Sequence, residues 1–518
     1  MAARHDSKPP AGKHGGAGVD QRDPCRLSFE SAFTPSRLIR LQLTTSYALP
    51  GRHTMHTDIK ANSSPARNAC TMSRPRRPQW LRLTVLAAGI ACGASSQAIE
   101  FGPFKLTGFA KAEFTRVTPY CPASDCQVAD PRFTVREFQW ADAVASGKSY
   151  GPGTTHVTLF QPWLEAKFDI GRGFKVSGLL SQRYRDGKID LPGFVYEKNV
   201  AISHEDYGRL AVGAMTSRSW SVADYPYGTN IGLADVWGSS GAGYGLLGHA
   251  VRYTSRIFDV LEGDLVLEAT YDRGNRDFKI HKPWFYELYA QFHKGDLVID
   301  AMYQDSRNGG AVAWGHAPFS GPFYDVAADA KVGTAGQTMA MAMARYEVNP
   351  RLEVTGGIRH NRWSGMSAVI VKSEPRFDTW NWPFNVDWNG KLVYTNADGS
   401  KYIVDNPGYP VYSTDVMGGL RYRFAGNWIV HTGVAYLGKG HTKNPSERGQ
   451  SNSALVNTVG LNYDFKNGLQ LYGMAGMVHY DHKGLAPISI PSHSSFTNVD
   501  SRVSKQGNWF GVGAVFVF

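Results

Sequence analysis

The chain ends with NWFGVGAVFVF, residues 508–518, in which apolar and smaller side chains alternate up to a terminal phenylalanine. Successive side chains of a β-strand point to opposite faces. One face of this strand would carry Phe510, Val512, Ala514, Phe516 and Phe518. The most apolar strand of the chain is therefore its last one, where a soluble sheet would have an exposed edge.

Such an edge leaves backbone groups unpaired and favours aggregation. A barrel in a lipid bilayer has no edge, because closure pairs the last strand with the first. We therefore predict an all-β fold, a transmembrane antiparallel β-barrel surrounded by outer-membrane lipid. Phe516 and Phe518 are expected to form the C-terminal signal for barrel closure, read by the barrel-assembly machinery.

An export signal is predicted over residues 72–98. Met72 precedes the basic segment SRPRRP, and an apolar run follows from Leu81 to Ala91. Small residues at Ser96 and Ala98 fit the cleavage site of a secretory signal peptide. The apolar run is too short to span a membrane as a helix.

Residues 1–71 lie upstream of that signal and are polar, without sustained periodicity. We interpret them as an over-extended start with Met72 as the initiator; a disordered arm is the alternative. A lipoprotein signal at Cys92 is a further alternative, although Gly89 stands where such signals prefer leucine. The barrel domain is then predicted to cover residues 99–518.

The basic charge of the chain belongs mostly to its leader. The whole chain has 55 Lys and Arg against 44 Asp and Glu. Residues 1–98 contain 14 of the basic and 5 of the acidic residues, which leaves 41 and 39 for residues 99–518. No nucleic-acid-binding motif is present, and export argues against a nucleic-acid partner.

Two of the five cysteines, Cys121 and Cys126, follow the leader. A close pair in an oxidising compartment predicts a disulfide that closes a small loop. A metal site would need further ligands nearby, and none is evident. The remaining cysteines, Cys25, Cys70 and Cys92, lie in the leader.

Alternating segments of about 10–14 residues follow one another after Ala98, as is typical of barrel strands with one lipid-facing side. In the first, Phe104 and Phe114 share one face, and Lys105, Lys111 and Glu113 share the other. Tight turns are predicted at 171–173, 206–208, 259–264, 294–296, 349–351, 425–427 and 466–468. Seven hairpins, with an opening strand near 104–116 and a closing strand near 506–518, give 16 strands.

The other connections are longer, so short turns and long loops are expected at opposite ends of the barrel. The prominent loops are predicted at 117–153, 219–246 and 365–410, and the last contains Trp380, Trp382 and Trp388. Aromatic residues near strand ends predict girdles at the lipid–water boundary. This set is Trp284, Phe285, Tyr286, Tyr289, Tyr422, Phe424, Trp428, Tyr463, Phe465, Tyr472, Trp509 and Phe510.

Several segments give the chain a resemblance to the general diffusion porins of Gram-negative bacteria. They are FKLTGFA at 104–110, DIGRGFKV at 169–176, VAISHEDYGRLAVG at 200–213, HAVRYTS at 249–255 and the terminal Phe518. The resemblance implies a trimer of 16-stranded barrels, with a third loop that folds inward and narrows each pore. In this chain that loop would be 219–246.

A pore of that kind needs a constriction with a transverse field, which charged side chains supply. The loop's acids are Asp224 and Asp235. Opposite them, the inward parity of neighbouring strands would place Lys105, Lys111, Lys175, Arg183, Arg185 and Arg252. Arg183 and Arg185 can also lie too near a loop end to reach the neck.

An enzymatic function has little support from the sequence. His156, His204, His249, His293 and His431 are scattered singly, and none lies in a nucleophile motif. His479 and His482 have a helical rather than a strand spacing, and Asp398 and Asp405 lack calcium-site spacing. We therefore expect no catalytic residue, no cofactor and no metal.

The function expected is passive diffusion of small hydrophilic solutes and ions through a water-filled channel in the outer membrane. A substrate-selective channel is the alternative, with loops 117–153 and 365–410 closing the mouth and the tryptophans of the latter stacking on solutes. A barrel adhesin, a structural anchor and a barrel hydrolase are the remaining alternatives.

Overall fold

A computed structural model describes residues 98–117, 153–189, 195–238, 240–276, 282–309, 319, 334–365, 367–371, 392–395, 401–405, 410–443, 453–465, 467–481 and 506–518. The predicted signal peptide, the upstream segment, Cys121 and Cys126, and the tryptophans of the 365–410 loop lie outside these residues. The predictions made for them remain predictions.

The wall of the molecule is a ring of 16 antiparallel strands. In chain order they are β1 (Phe104–Val117), β2 (Gly153–Gly171), β3 (Phe174–Ser181), β4 (Glu197–His204), β5 (Gly208–Thr216), β6 (Leu246–Thr254), β7 (Gly263–Asp272), β8 (Trp284–Lys294), β9 (Leu297–Arg307), β10 (Ala335–Asn349), β11 (Leu352–Gly365), β12 (Val411–Ala425), β13 (Trp428–Leu437), β14 (Ala454–Asp464), β15 (Leu469–Tyr480) and β16 (Gln506–Val517). The predicted strand count and fold class are confirmed.

Closure occurs between β1 and β16, where nine residue pairs run from Phe109–Val517 to Val117–Trp509. The chain terminus completes the seam, because Gly108 and Phe518 exchange two backbone hydrogen bonds of 2.8 and 3.0 Å. The Phe518 ring stacks on Phe160 of β2 and on Phe516. A Cβ atom at Gly108 would lie 2.6 Å from the Phe518 ring, so glycine gives the last side chain its place.

The seven predicted turns join β2–β3, β4–β5, β6–β7, β8–β9, β10–β11, β12–β13 and β14–β15. In the β2–β3 turn, Gly171, Arg172 and Gly173 all have positive φ, a conformation that glycine adopts without strain. The backbone N–H of Gly171 donates to Asp169 at 2.7 Å and stabilises the same turn. The glycine and aspartate residues of the sequence thus determine where this hairpin turns.

The long connections lie at the opposite end of the barrel. The predicted loop at 365–410 contains a separate three-stranded sheet of Ser367–Val371, Leu392–Thr395 and Lys401–Asp405. Shorter strands, Ile99–Phe101, Tyr184–Arg185, Lys188–Ile189, Phe258–Val260 and His441–Thr442, extend the wall at its two ends. The described residues contain no helix that is both long and apolar enough to cross a membrane.

The outer surface of the wall is a continuous apolar band. In β16, Phe510 is 54% exposed while Trp509 is 3% exposed, so neighbouring residues face opposite sides of the wall. Large apolar side chains on other strands, such as Val200, Leu288 and Val459, are more than half exposed in the same way. A surface of this kind needs lipid around it, because water would not solvate it.

The aromatic girdle is smaller than the sequence predicted. Tyr286, Tyr422, Phe424, Trp428, Phe465 and Phe510 are exposed on the outer surface. Phe285, Tyr289 and Trp509 are instead buried on the inner face, and the Tyr472 hydroxyl donates to Glu113 inside the barrel. Clustering in the sequence was the wrong criterion for these four, because alternation sends every second ring inward.

Candidate functional site: a loop folded into the barrel lumen

The connection between β5 and β6, residues 217–245, folds into the barrel. It contains α1 (Arg218–Val222), a π-helical turn (Ala223–Gly228) interrupted by the extended backbone of Tyr225, and α2 (Ala234–Gly238). Trp220, Tyr227 and Trp237 are at most 2% exposed. We call this segment the lumen loop.

Ser217 starts the lumen loop and closes its base. Its backbone N–H donates to the Gly245 carbonyl at 2.9 Å, and its hydroxyl oxygen accepts from Trp220 N–H at 3.3 Å as the N-cap of α1. The same hydroxyl donates to the Tyr244 carbonyl. Serine at an N-cap satisfies an amide that the first helical turn leaves unpaired.

Buried carboxylates of β7 and β8 hold the first helical turn against the wall. The Arg218 guanidinium forms a two-point ion pair with Glu268, with Nη2–Oε2 at 2.8 Å. Glu287 accepts the backbone N–H groups of Arg218 and Ser219 at 2.8 and 3.0 Å, and Gln304 donates to it as well. Because both carboxylates are inaccessible to water, each depends on these partners for its charge.

The middle of the lumen loop is held by β9 and β11. The Tyr227 hydroxyl donates to Asp300 at 2.5 Å, and the Asn230 amide donates to Glu353 at 3.1 Å. Glu353 also pairs with Arg345 at 3.1 Å. These contacts place the turn between the two short helices on the inner face of the wall.

Glycines of the wall receive the apolar part of the lumen loop. A Cβ atom at Gly433 of β13 would lie 2.4 Å from the Ile231 carbonyl and 2.9 Å from Leu233. A Cβ atom at Gly419 of β12 would lie 2.8 Å from Ile231. The Thr458 hydroxyl of β14 donates to the Ile231 carbonyl at 2.8 Å and fixes the same point. The loop therefore reaches across the lumen to the far strands.

Arg359 of β11 anchors the return path of the lumen loop. Its guanidinium donates to the carbonyls of Trp237 and Ser240, both at 2.8 Å, pairs with Asp415 at 2.8 Å, and lies 4.6 Å from the Trp237 ring centroid. Asn361 accepts the Ala242 N–H at 2.8 Å. An arginine with a carboxylate, two carbonyls and an aromatic face as partners is stabilised although it is fully buried.

The structure brings some of the predicted constriction residues near the lumen loop. Asp224 lies in the π-helical turn, is fully buried and accepts from the Thr229 hydroxyl at 3.4 Å; Asp235 lies within α2. Arg183 is fully buried, 6.0 Å from the Tyr196 ring, which in turn lies 6.4 Å from the Trp220 ring. Arg185, also buried, follows in the short strand Tyr184–Arg185.

The other predicted cations take three different positions. Lys111 is buried on the inner face of β1 and pairs with Glu113 at 2.7 Å. Lys105 and Lys175 lie at the turn end of the barrel, where Lys105 pairs with Glu100 at 3.2 Å. Arg252 lies at the root of the lumen loop, where it donates to the Thr216 carbonyl and the Thr270 hydroxyl at 2.9 and 2.8 Å.

Sequence reasoning missed the anchoring residues. Glu268, Glu287, Asp300, Arg359 and Asp415 all lie on inward positions of their strands, so alternation alone would have put them inside. The choice of which inward residues contact the lumen loop depends on how the barrel closes. No local pattern in the sequence predicts that choice. Among the described residues there is no cluster of His, Cys, Asp and Glu that could hold a metal ion.

A closed, even-stranded barrel with an apolar outer band and a polar interior defines an integral protein of the outer membrane. The predicted location in the cell outer membrane is thereby confirmed, on the physical ground that such a surface is stable only in lipid.

Comparison with known proteins identifies similar folds. No protein-family profile matches the chain, and no curated protein matches its sequence. An anion-selective porin from Comamonas acidovorans is similar in structure at 10% identity over 80% of this chain and 99% of that one, with a TM-score of 0.48. The trimer form of OmpT, an outer membrane protein of Vibrio cholerae, matches at 14% identity over 80% and 99%, with a TM-score of 0.46.

OmpF of Salmonella typhi, solved in complex with daunomycin, matches at 14% identity over 82% of this chain and 100% of that one, with a TM-score of 0.46. Likeness at this level of identity and superposition carries no argument about function. The case for a function therefore depends on the residues of this chain.

Proposed function

We propose that the chain forms a water-filled channel through the outer membrane for passive diffusion of small hydrophilic solutes and ions. The observation that carries the proposal is the lumen loop, which crosses the interior of a closed barrel and is held there by charged and polar side chains of β7 to β14. A loop fixed in this way narrows the interior, and polar walls favour water and hydrophilic solutes over apolar ones. The proposal assigns no catalytic residue.

The constriction in this proposal lies between the lumen loop and the inner faces of β1 to β4. Asp224 and Asp235 belong to the loop, and Lys111, Arg183 and Arg185 are the cations of the opposite side. Acids on the loop and bases on the facing wall are the arrangement that a transverse field requires. Lys105 and Lys175 would act at the turn end of the channel, and Arg252 at the loop root.

The proposed assembly is a homotrimer, supported by the resemblance of the sequence to general diffusion porins. Solutes would pass down their concentration gradient within each barrel, because the loop is fixed to its own wall. No nucleic-acid partner is proposed.

Reconstitution of the purified, folded chain in a planar lipid bilayer tests the channel. We expect discrete conductance steps that rise in proportion to salt concentration, and swelling of vesicles in small sugars. Heat-denatured protein from the same preparation is the control. Solute flux that saturates at low concentration would favour the substrate-selective channel, and a folded barrel without current would refute the proposal in favour of an adhesin or anchor.

A further inference from the structure

A groove on the outside of the barrel crosses the strands β6 to β11. Its volume is about 850 Å³, and its lining includes Leu267, Ala290, Ala301, Tyr303, Ala342 and Ile358. The alanines form its floor, because Ala290 pairs with Ala301 and Ala301 pairs with Ala342 across three neighbouring strands. Larger side chains, such as Leu288 and Tyr303, flank this row of alanines. The alanine positions are therefore recessed relative to their neighbours.

The groove is apolar and faces the lipid. Tyr303 and Ile358 at its sides are 47% and 51% exposed on the outer surface, as expected for positions that contact hydrocarbon. An apolar trough within the membrane band can receive a flexible hydrocarbon chain. The whole outer wall is exposed to lipid, so exposure alone does not make this groove a binding site. The charged side chains beside the groove distinguish it from the rest of the wall.

Two arginines lie on the same outer face, toward the end of the barrel with the long connections. Arg307 follows Ala301 by six residues in β9, which is about 20 Å along a strand. A Cβ atom at Gly336 would lie 3.4 Å from Cζ of Arg307 and 2.8 Å from the Ser364 hydroxyl, so the guanidinium leans across β10 toward β11. On β11, Arg362 lies 6.0 Å from the Tyr412 ring centroid.

Within the part of the chain that the structure describes, neither Arg307 nor Arg362 is paired with a carboxylate. The neighbouring outward carboxylate, Asp305, accepts a hydrogen bond of 2.7 Å from the Thr338 hydroxyl. Two guanidiniums, one leaning toward the other's strand, suit a phosphate group, which accepts several charge-assisted hydrogen bonds.

We propose that this face binds a phosphorylated glycolipid of the outer leaflet, with one acyl chain in the alanine-floored groove and its phosphate at Arg307 and Arg362. The vertical order fits such a lipid, because the groove lies at hydrocarbon depth and the arginines lie nearer the membrane surface on the long-loop side. Basic side chains at that level attract anionic headgroups. A phospholipid without a net negative charge would fill the groove but leave both arginines without a counterion.

Native mass spectrometry of the folded chain in non-ionic detergent tests the proposal. The probes are bisphosphorylated lipid A and the same lipid A with both phosphates removed. We expect retention of the bisphosphorylated form, and about tenfold weaker binding for each of Arg307→Gln and Arg362→Gln, as for the loss of one charge-assisted hydrogen bond. Ala301→Phe fills the groove and should weaken binding of both lipids.

Two matched variants control for charge and bulk. Arg116→Gln removes an exposed outward arginine near the long-loop end of β1, and Ala344→Phe adds a ring to β10 outside the groove. Both should bind the phosphorylated lipid as the unaltered chain does. Heat-induced unfolding monitored by circular dichroism verifies that each variant is a folded barrel.

Equal retention of the two lipids would overturn the proposal, and so would unchanged binding after both arginines are replaced. Concentration-dependent dimers that Ala301→Phe abolishes would show instead that a second copy of the chain covers this face. None of these measurements involves ion current. Their failure therefore leaves the proposed channel function standing, and a failure to conduct leaves the lipid site standing.

Discussion

The two sides of the barrel interior are stabilised differently. On the side of β7 to β14, wall side chains bind backbone groups of the lumen loop, as Glu287 binds two N–H groups and Arg359 binds two carbonyls. On the side of β1 to β4, wall side chains bind each other, as Lys111 binds Glu113 and Trp163 binds Glu197 at 2.7 Å. The helical segments of the lumen loop are only five or six residues long, so many of its amides and carbonyls have no partner within a helix and bind the wall instead.

This difference makes the two sides separable by mutation. Changes on the β7 to β14 side should move the lumen loop, and changes on the β1 to β4 side should leave it in place. Hydrogen exchange of residues 217–245 reports the position of the loop, and bilayer conductance reports the width of the channel.

The largest effect is expected for Glu287→Ala. The substitution leaves the N–H groups of Arg218 and Ser219 without their buried acceptor, and it leaves Arg252, 3.6 Å away, without this carboxylate. The loss should cost about 3–5 kcal/mol of stability. Urea titration followed by tryptophan fluorescence measures the loss, and hydrogen exchange across 217–245 should accelerate. Glu347→Ala, at an exposed position near a turn, is the control. An unchanged lumen loop in the Glu287 variant would contradict its role as an anchor.

Lys111→Met should cost somewhat less, about 3 kcal/mol, because Glu113 stays buried without its cation. Adding Glu113→Leu should restore most of the stability, since an apolar pair has no charge to compensate. The same urea titration measures both variants. Hydrogen exchange of the lumen loop should be unchanged in the double variant, and accelerated exchange would mean that the two sides are coupled.

Gly433→Ala is expected to cost about 1–3 kcal/mol, the usual range for an overpacked site. The new methyl group would lie 2.4 Å from the Ile231 carbonyl, so the lumen loop has to move away from β13. Thermal unfolding and single-channel conductance measure the effect. Gly178→Ala is the matched control, because a Cβ atom at Gly178 would have no other atom within 4 Å. Equal effects of the two variants would show that the contact between Gly433 and Ile231 does not position the lumen loop.

The smallest change in stability is expected for Asp224→Asn with Asp235→Asn. Replacing both acids of the lumen loop removes negative charge from the proposed constriction and should shift permeability toward anions. The reversal potential in a salt gradient measures this shift. Glu205→Gln, at an exposed turn position, is the control. Unchanged ion selectivity would mean that these acids do not line the pore.

Local chemistry explains why so much of the wall could be predicted. Glycine, asparagine and aspartate at positions such as Gly171 and Asn349 specify turns within a few residues, and alternation specifies which side chains face lipid. Both signals are short-range, so the strand number and the positions of the turns followed from them. The same alternation, applied strictly, would have placed Tyr289 and Trp509 inside the barrel.

Strand periodicity and turn chemistry act between neighbouring residues, so they are sufficient to specify a closed 16-stranded wall with its short turns. The position of the lumen loop depends instead on long-range contacts. Ring closure brings Ile231 to Gly433 and Trp237 to Arg359 across more than a hundred residues of chain. Contacts of that range depend on the curvature of the whole barrel, and no local pattern in the chain encodes them.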